Sequence, residues 1–161
     1  MKISAQEEFG LRCLVQLAQL SDDESLTLGQ LAEREGISQA NAGKVMWLLN
    51  QAGFVKATRG VKGGYMLSRP ASEIRLSEVV KVLDADEIVN HCQHYAGVQT
   101  VCVHTGDCGI RPVIAGLHEI ISQALEQITL AQLVGSEEKV DEMFHQIKRM
   151  ERRLGKEIFS N

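Results

Sequence analysis

The sequence has few aromatic residues, 4% of its 161 residues, and no long apolar run. We therefore expect a core of leucine, valine, isoleucine and alanine, in one domain or in a small domain with an assembly element. No stretch approaches the ~20 apolar residues needed to span a bilayer. The first residues also lack the apolar run and small-residue cleavage site of a secretory signal. These absences predict a cytoplasmic protein with no membrane partner.

The familiar motifs of enzymes are missing as well. The chain contains no nucleophile–base pairing, no Walker loop and no dinucleotide-binding fingerprint. It shows neither an internal repeat nor a low-complexity tract. We therefore predict that the protein is not an enzyme.

Acidic residues are absent from one continuous span, Gly36 to Arg69, which carries five positive charges. The formal net charge of the chain is −4, so the remaining residues carry −9. A basic island in an acidic chain is what a DNA-contacting face requires, because phosphate contacts supply much of the affinity for DNA. The alternative is a chance run of neutral residues.

The apolar spacing in the first third of the chain predicts three helices. Residues 4–20 place their apolar residues on one broad arc at about 100° per residue. Residues 28–35 form a short helix that ends at Gly36, where a left-handed C-cap costs little. Ser38 is a good N-cap for another helix, residues 39–51. A short helix, a glycine-containing turn and a second capped helix make a helix-turn-helix.

Two β-like runs, residues 54–58 and 65–68, follow the predicted helix-turn-helix. A glycine-rich link with basic residues at its tip joins them, as in the wing of a winged helix. Such a motif reads DNA with the N-terminal part of its second helix and with the wing. The candidate DNA-binding residues are Ser38, Gln39, Asn41, Lys44, Arg59 and Lys62.

These candidates have different predicted roles. Gln39 and Asn41 can pair with adenine edges, and Lys44 can bind a guanine or a phosphate. Arg59 and Lys62 would reach the backbone or an adjacent minor groove. The alternative for the two amide side chains is that they are ordinary solvated residues of a helix.

A long helix is predicted to start near Pro112, which suits a first helical turn. Its apolar stripe runs over residues 113–128, and residues 129–134 continue or restart it. A small winged helix cannot bury such a stripe, which most simply meets its copy in a second subunit. A two-fold homodimer would place two reading helices about 34 Å apart on a pseudo-palindromic operator. The alternative is packing entirely within one chain.

Three cysteines, Cys92, Cys102 and Cys108, lie in a segment with neither helical nor strand periodicity. Disulfides are rare in the cytosol, so these thiols indicate a metal site or a redox site. Zinc binding and a thiol–disulfide switch both stay open. Cys13, in contrast, falls on the apolar face of the first helix and is predicted to be a buried thiol.

Residues 57–74, Ala-Thr-Arg-Gly-Val-Lys-Gly-Gly-Tyr-Met-Leu-Ser-Arg-Pro-Ala-Ser-Glu-Ile, resemble the wing signature of the Rrf-type bacterial repressors. This family includes the iron–sulfur regulator IscR and the nitric-oxide sensor NsrR. Residues 2–4, 9–12, 31–38 and 128–134 fit the family as well, so the resemblance covers residues 1 to about 135. It implies a winged-helix dimer with a long dimerisation helix. In members with three cysteines it also implies an iron–sulfur cluster that alters operator affinity.

The resemblance also implies the cluster ligands. Cys92, Cys102 and Cys108 fall where the family's cysteine ligands fall, although the nine-residue first interval is longer than expected. IscR-like members place a histidine three residues after the last cysteine, where this chain has Arg111. NsrR-like members recruit an acidic residue from the first helix of the partner subunit, which makes Glu8 the preferred fourth ligand. The local alternatives are His91, His94 and His104.

These observations together predict a mainly α fold with a small β-hairpin wing and a long dimerisation helix. The expected divisions are a winged helix-turn-helix over residues 1–84 and a cluster-binding loop over 85–109. A dimerisation helix over 110–135 and a C-terminal amphipathic helix over 136–161 follow. The predicted function is a dimeric DNA-binding transcriptional regulator whose 2Fe–2S or 4Fe–4S cluster senses redox state, NO, O₂ or iron. A small iron–sulfur electron carrier is the alternative from another class.

Overall fold

The computed structural model describes residues 4–21, 23–58, 60, 63–83, 102, 104 and 107–158, with side chains up to residue 147. The helices of the first half are α1 (Ala5–Ala18), α2 (Leu28–Glu35), α3 (Gln39–Gln51) and α4 (Leu76–Leu83). A hairpin of β1 (Val55–Thr58) and β2 (Gly64–Leu67) stands between α3 and α4. The second half contains α5 (Ile110–Glu126) and α6 (Glu137–Ile158). The mainly α fold with a β-hairpin wing is therefore confirmed.

Local sequence signals set the ends of the first three helices. Ser4 and Thr27 form capping boxes at the starts of α1 and α2, which satisfy backbone donors that a helix leaves unpaired. Gly36 ends α2 in the left-handed region, at φ 63°. The predicted C-cap at Gly36 and N-cap at Ser38 are thus both present.

The wing is an antiparallel hairpin whose register pairs Val55 with Leu67 and Thr58 with Gly64. Its second strand also pairs with the chain ahead of α2, because Leu26 and Tyr65 exchange backbone hydrogen bonds of 3.0 and 2.7 Å. This contact joins the wing to the helix-turn-helix. Strand β2 of the wing is therefore hydrogen-bonded both to β1 and to the segment ahead of α2.

The core lies between α1, α3 and α4, with the strands closing one end. It is aliphatic, as the composition predicts, and Phe54 is its one buried aromatic residue among the described residues. The largest fully buried side chains include Leu14, Leu31, Met46, Leu49, Ile74, Leu83 and Leu130. Within the described residues, no helix is both long enough and apolar enough to cross a membrane.

The long helix predicted to start near Pro112 begins at Ile110 and is shorter than residues 110–135. Helix α5 stops at Glu126, and Thr129 then caps a 3₁₀ turn, Leu130–Leu133, so the segment restarts rather than continues. This turn returns to the core, where Leu130 donates to the Ile74 carbonyl at 2.9 Å and is fully buried. Helix α6 then packs on the same region through Ile147.

The close approach of Gly64 to the chain ahead of α2 gives a first test. A Cβ at this position would lie 2.6 Å from the Leu26 carbonyl oxygen. We expect Gly64→Ala to lower the free energy of unfolding by about 1–3 kcal/mol, because backbone must shift to admit it. Gly43→Ala in α3 is the matched control. Its Cβ would meet only Leu28 Cδ2, at 3.6 Å. This substitution should raise the free energy of unfolding by as much as about 1 kcal/mol, because alanine has a higher helix propensity than glycine.

Denaturant unfolding of both variants provides the measurement. Equal unfolding midpoints for Gly64→Ala and the unmodified chain would contradict the close approach.

Candidate DNA-binding surface and cysteine site

The N-terminal part of α3 presents its predicted reading residues to solvent. Gln39, Asn41 and Lys44 are all exposed. The rotation of the helix is fixed by its opposite side, where four side chains are buried, namely Ala42, Val45, Met46 and Leu49. Ser38 is exposed too, but its hydroxyl oxygen accepts a hydrogen bond from the Asn41 N–H at 3.1 Å. Its structural role is thus to begin the helix.

The helix that precedes the reading helix is tied to α1 by an ion pair that the sequence analysis missed. Arg12 Nε donates to Glu35 Oε2 at 2.6 Å, and Arg12 Nη2 donates to the Glu35 carbonyl at 2.9 Å. The Glu35 side chain is only 6% exposed. Its hydrogen bond with Arg12 raises the pKa of the Arg12 guanidinium, which burial opposes. The guanidinium also provides a hydrogen-bond donor for the Glu35 carbonyl at the C-terminal end of α2, where carbonyls lack partners within the helix.

Hydrogen bonds between Thr58 and Gly64 close the base of the loop that joins the two strands of the wing. Thr58 Oγ1 donates to the Gly64 carbonyl and accepts from the Gly64 N–H, both at 3.2 Å, so the side chain closes the base of the loop. Arg59 and Lys62 lie outside the described residues. Their contact with DNA therefore stays a prediction.

One member of the predicted basic island has a structural partner. The guanidinium of Arg69 lies 5.4 Å from the centre of the Phe54 ring and forms an ion pair with Glu78 of α4. Arg69 therefore clamps the end of the wing to α4. The positive charge available for DNA is accordingly smaller than the five residues counted in the sequence.

The candidate cluster ligands are only partly described. Cys102 and Cys108 are free and half-buried, and Cys108 lies directly before Gly109, the N-cap of α5. Cys92 lies outside the described residues, as do His91 and His94. Within the described part of the chain, no three histidine, cysteine or carboxylate side chains converge on a metal site. A single chain thus does not bring Glu8 together with the two described cysteines.

Glu8 projects from α1 with its side chain 58% exposed. Its contact with Arg12 is long, 3.4 Å between Glu8 Oε1 and Arg12 Nη1. An exposed pair of this kind contributes about 0–1 kcal/mol. The carboxylate can therefore leave Arg12 for another partner at little cost in stability.

Cys13 is confirmed as a buried thiol. Burial raises its pKa from 9.0 to about 11, and the negative charge of Glu35 adds to the effect while Arg12 opposes it. Metal ligation and nucleophilic chemistry need the thiolate. Cys13 is thus unsuited to the candidate site.

Arg111 stands where the resemblance would place a histidine. Its Nη2 donates to the His104 carbonyl at 3.3 Å, which ties the end of the cysteine segment to α5. An arginine has no lone pair to offer a metal. His104 itself is exposed.

The predicted apolar stripe of α5 is largely uncovered. Its most exposed members are Val113, Ile114, Leu117 and Ile120, and Ile110, which precedes the stripe, is exposed as well. Packing within one chain, the alternative in the sequence analysis, covers only the far end of the stripe, where Ile128 is buried and Leu125 packs beside it.

Trp47 is a second feature that sequence reasoning missed. It lies on α3, and it is 60% exposed. A projection of α3 at about 100° per residue would have placed it near Lys44 and away from the core residues.

A helix-turn-helix with an exposed reading helix and a wing defines a winged-helix DNA-binding regulator. The chain belongs to the Rrf2 family, because residues 3–136 match the family model Rrf2, described as an iron-dependent transcriptional regulator. The family resemblance inferred from the wing signature is thus confirmed. The protein is a transcriptional regulator of this family, whose members are regulators rather than enzymes.

Solved structures of regulators share the fold. The oxidized form of CymR from Staphylococcus aureus is 23% identical, with 84% of this chain and 98% of that chain covered and a TM-score of 0.66. IscR from T. potens is 26% identical over 83% of this chain and 86% of that chain, with a TM-score of 0.65. CymR, the global cysteine regulator of B. subtilis, is 22% identical over 83% and 96%, also with a TM-score of 0.65.

The ion pair between the half-exposed Arg12 and the buried Glu35 supplies the second test. Arg12→Ala should lower the free energy of unfolding by about 1–3 kcal/mol, because it leaves the Glu35 carboxylate buried without its partner. Arg34→Ala is the matched control, since Arg34 is exposed on α2 and reaches only Gln16, at 3.5 Å. It should change stability by about 0.5 kcal/mol or less. If denaturant unfolding gives equal losses for the two variants, the Arg12–Glu35 pair does not hold α2 in place.

Proposed function

We propose that this protein is a homodimeric transcriptional repressor whose affinity for a pseudo-palindromic operator is controlled by an iron–sulfur cluster. Cys92, Cys102 and Cys108 would bind the cluster, and Glu8 of the partner subunit would complete it. The observation that carries the proposal is the pair of free, half-buried thiols directly ahead of an uncovered apolar helix. Family membership supports the regulator class, and the cysteines support the cofactor.

The donor set fits such a group. Cys102 and Cys108 are free of disulfides and partly accessible, whereas Cys13 is buried and stays protonated. Glu8 offers an exposed carboxylate held only by one long contact. When bound, a cluster with one carboxylate ligand supplies an iron that is more open to O₂, NO or redox change than an all-cysteine cage.

The uncovered stripe of α5 supports the proposed homodimer. Exposed apolar side chains at helical spacing over several turns favour self-association, because burial removes their surface from water. Two-fold symmetry would let each Glu8 serve the cysteines of the other subunit. Within one chain, Glu8 does not converge with the two described cysteines, Cys102 and Cys108.

Arg12 connects the proposed fourth ligand, Glu8, with the helix-turn-helix. Its guanidinium contacts both Glu8 and Glu35, and Glu35 is the last residue of α2. Recruitment of Glu8 as a ligand would remove one of the two carboxylates that position Arg12. Arg12 would then be held by Glu35 alone, so ligation would change the contacts of the residue that joins α1 to α2.

A second candidate keeps the DNA binding and makes the cysteines a zinc site or a thiol–disulfide switch. The free thiols of Cys102 and Cys108 favour it, and three structures of similar fold belong to CymR, one of them in an oxidized form. The colour of the purified protein distinguishes the iron–sulfur proposal from this second candidate. An iron–sulfur protein is brown or red, whereas zinc and disulfide forms are colourless.

The cofactor proposal predicts that anaerobically prepared protein contains iron and sulfide and absorbs visible light. Cys108→Ala should abolish this absorbance, because a thiolate ligand is lost, whereas Cys13→Ala should retain it. Glu8→Ala should shift the spectrum or speed its loss in air, and Glu33→Ala, an exposed acidic change on α2, should not. Colourless, iron-free protein, or equal operator affinity before and after iron removal, would contradict the proposal.

The dimer proposal predicts that Leu117→Glu yields a monomer, because it places a charge in the apolar stripe of α5. Gln123→Glu adds a charge to the same helix outside the stripe and should leave the dimer intact. Light scattering at several protein concentrations measures the masses. A Leu117→Glu variant that retains the dimeric mass would move the interface elsewhere.

A further inference from the structure

The only tryptophan of the chain, Trp47, is exposed on the reading helix with 60% of its surface accessible. Tryptophan is among the side chains that proteins cover most completely on average, because its ring carries a large apolar area. Every other large apolar residue of α3 is either buried or packed against the core. An uncovered indole at this place indicates a partner outside the chain.

The position of Trp47 on α3 points toward the face that carries Lys44. At about 100° per residue, Trp47 lies within ~60° of Lys44 and within ~20° of Ala40. Both of these residues are exposed, whereas the buried residues Val45, Met46 and Leu49 occupy the other side. Trp47 therefore belongs to the surface that presents the candidate DNA-binding residues.

The charge of this surface favours DNA over a second copy of the chain as the partner. No acidic residue occurs between Gly36 and Arg69, and Lys44 lies one helical turn from Trp47. Two such faces would repel each other, whereas phosphates would attract them. The exposed stripe of α5 also provides a separate and larger apolar surface for self-association.

We propose that the indole of Trp47 packs against the sugar–phosphate wall of the major groove and donates its Nε1–H to a phosphate oxygen. Trp47 lies eight residues beyond Gln39, about 12 Å along the helix axis. The major groove is itself ≈ 12 Å wide, and the reading helix enters it by its N-terminal end. A side chain at that distance meets the groove wall rather than a base edge.

Such a contact positions the protein and carries no sequence information. Trp47→Ala should therefore weaken binding to the chain's own promoter duplex and to a duplex of mixed sequence by a similar factor, about tenfold. Trp47→Phe keeps a ring but loses the N–H donor, so its loss should be smaller. Phe144→Ala removes an exposed aromatic side chain from α6 and should leave both affinities unchanged.

Because Trp47 is the only tryptophan, its fluorescence reports this position alone. The experiment titrates the intact protein with a dye-labelled duplex at low ionic strength. It follows dye anisotropy for binding and acrylamide quenching for access to Trp47. We expect quenching to fall several-fold as the anisotropy rises, and to stay constant over a range of protein concentrations without DNA.

The two readouts separate this inference from the proposed function on which it rests. A rise in anisotropy with unchanged quenching would place Trp47 outside the DNA interface while leaving DNA binding intact. Quenching that falls with protein concentration alone would assign Trp47 to a contact between copies and overturn the inference. An anisotropy that never rises would overturn both the inference and DNA binding itself.

Discussion

The contact between Arg12 and Glu35 is the constraint on which the DNA-binding unit depends. Its two hydrogen bonds, one to a carboxylate and one to a carbonyl, fix α1 against the C-terminal end of α2. The other side of α1 is held at the end of α4, where Gln6 Nε2 donates to the Leu83 carbonyl at 2.7 Å. Gly10 allows this approach, because a Cβ there would come within 2.3 Å of Leu83 Cδ1. Helix α1 is therefore the common support of α2 and α4.

Features set by neighbours in sequence could be predicted, because their energetics are local. The αL conformation at Gly36 and the cap at Ser38 each involve residues within one helical turn. The same applies to the hairpin, whose glycine-rich link allows the chain to reverse. For the candidate site, the exposure of Gln39, Asn41 and Lys44 followed from helical periodicity. The three cysteines were identified as a metal or redox site from their occurrence in one aperiodic segment, whereas the choice of Glu8 and of an iron–sulfur cluster came from the family resemblance.

Features set by distant residues could not be predicted in this way. Ser77 is a residue type favoured at N-caps, yet it lies inside α4, which begins at Leu76, where the Leu76 N–H bonds to the Ile128 carbonyl. Its hydroxyl hydrogen-bonds to Glu126 of α5 instead. Arg69 likewise belongs to the basic span that the sequence offers to DNA, but in the structure it contacts Phe54 and Glu78. In each case a tertiary partner outweighs the local preference.

The two ends of α5 are held differently. The C-terminal end is anchored, because Ile128 is buried against α4 and the following turn bonds to Ile74. At the N-terminal end, next to Cys108, Arg111 donates to the His104 carbonyl, while the apolar side chains of the first turns are exposed. Apolar side chains stabilise a fold only where their surface leaves water. The exposed stripe of α5 therefore contributes little to the stability of the winged helix, whereas the chain that follows Glu126 is part of its core.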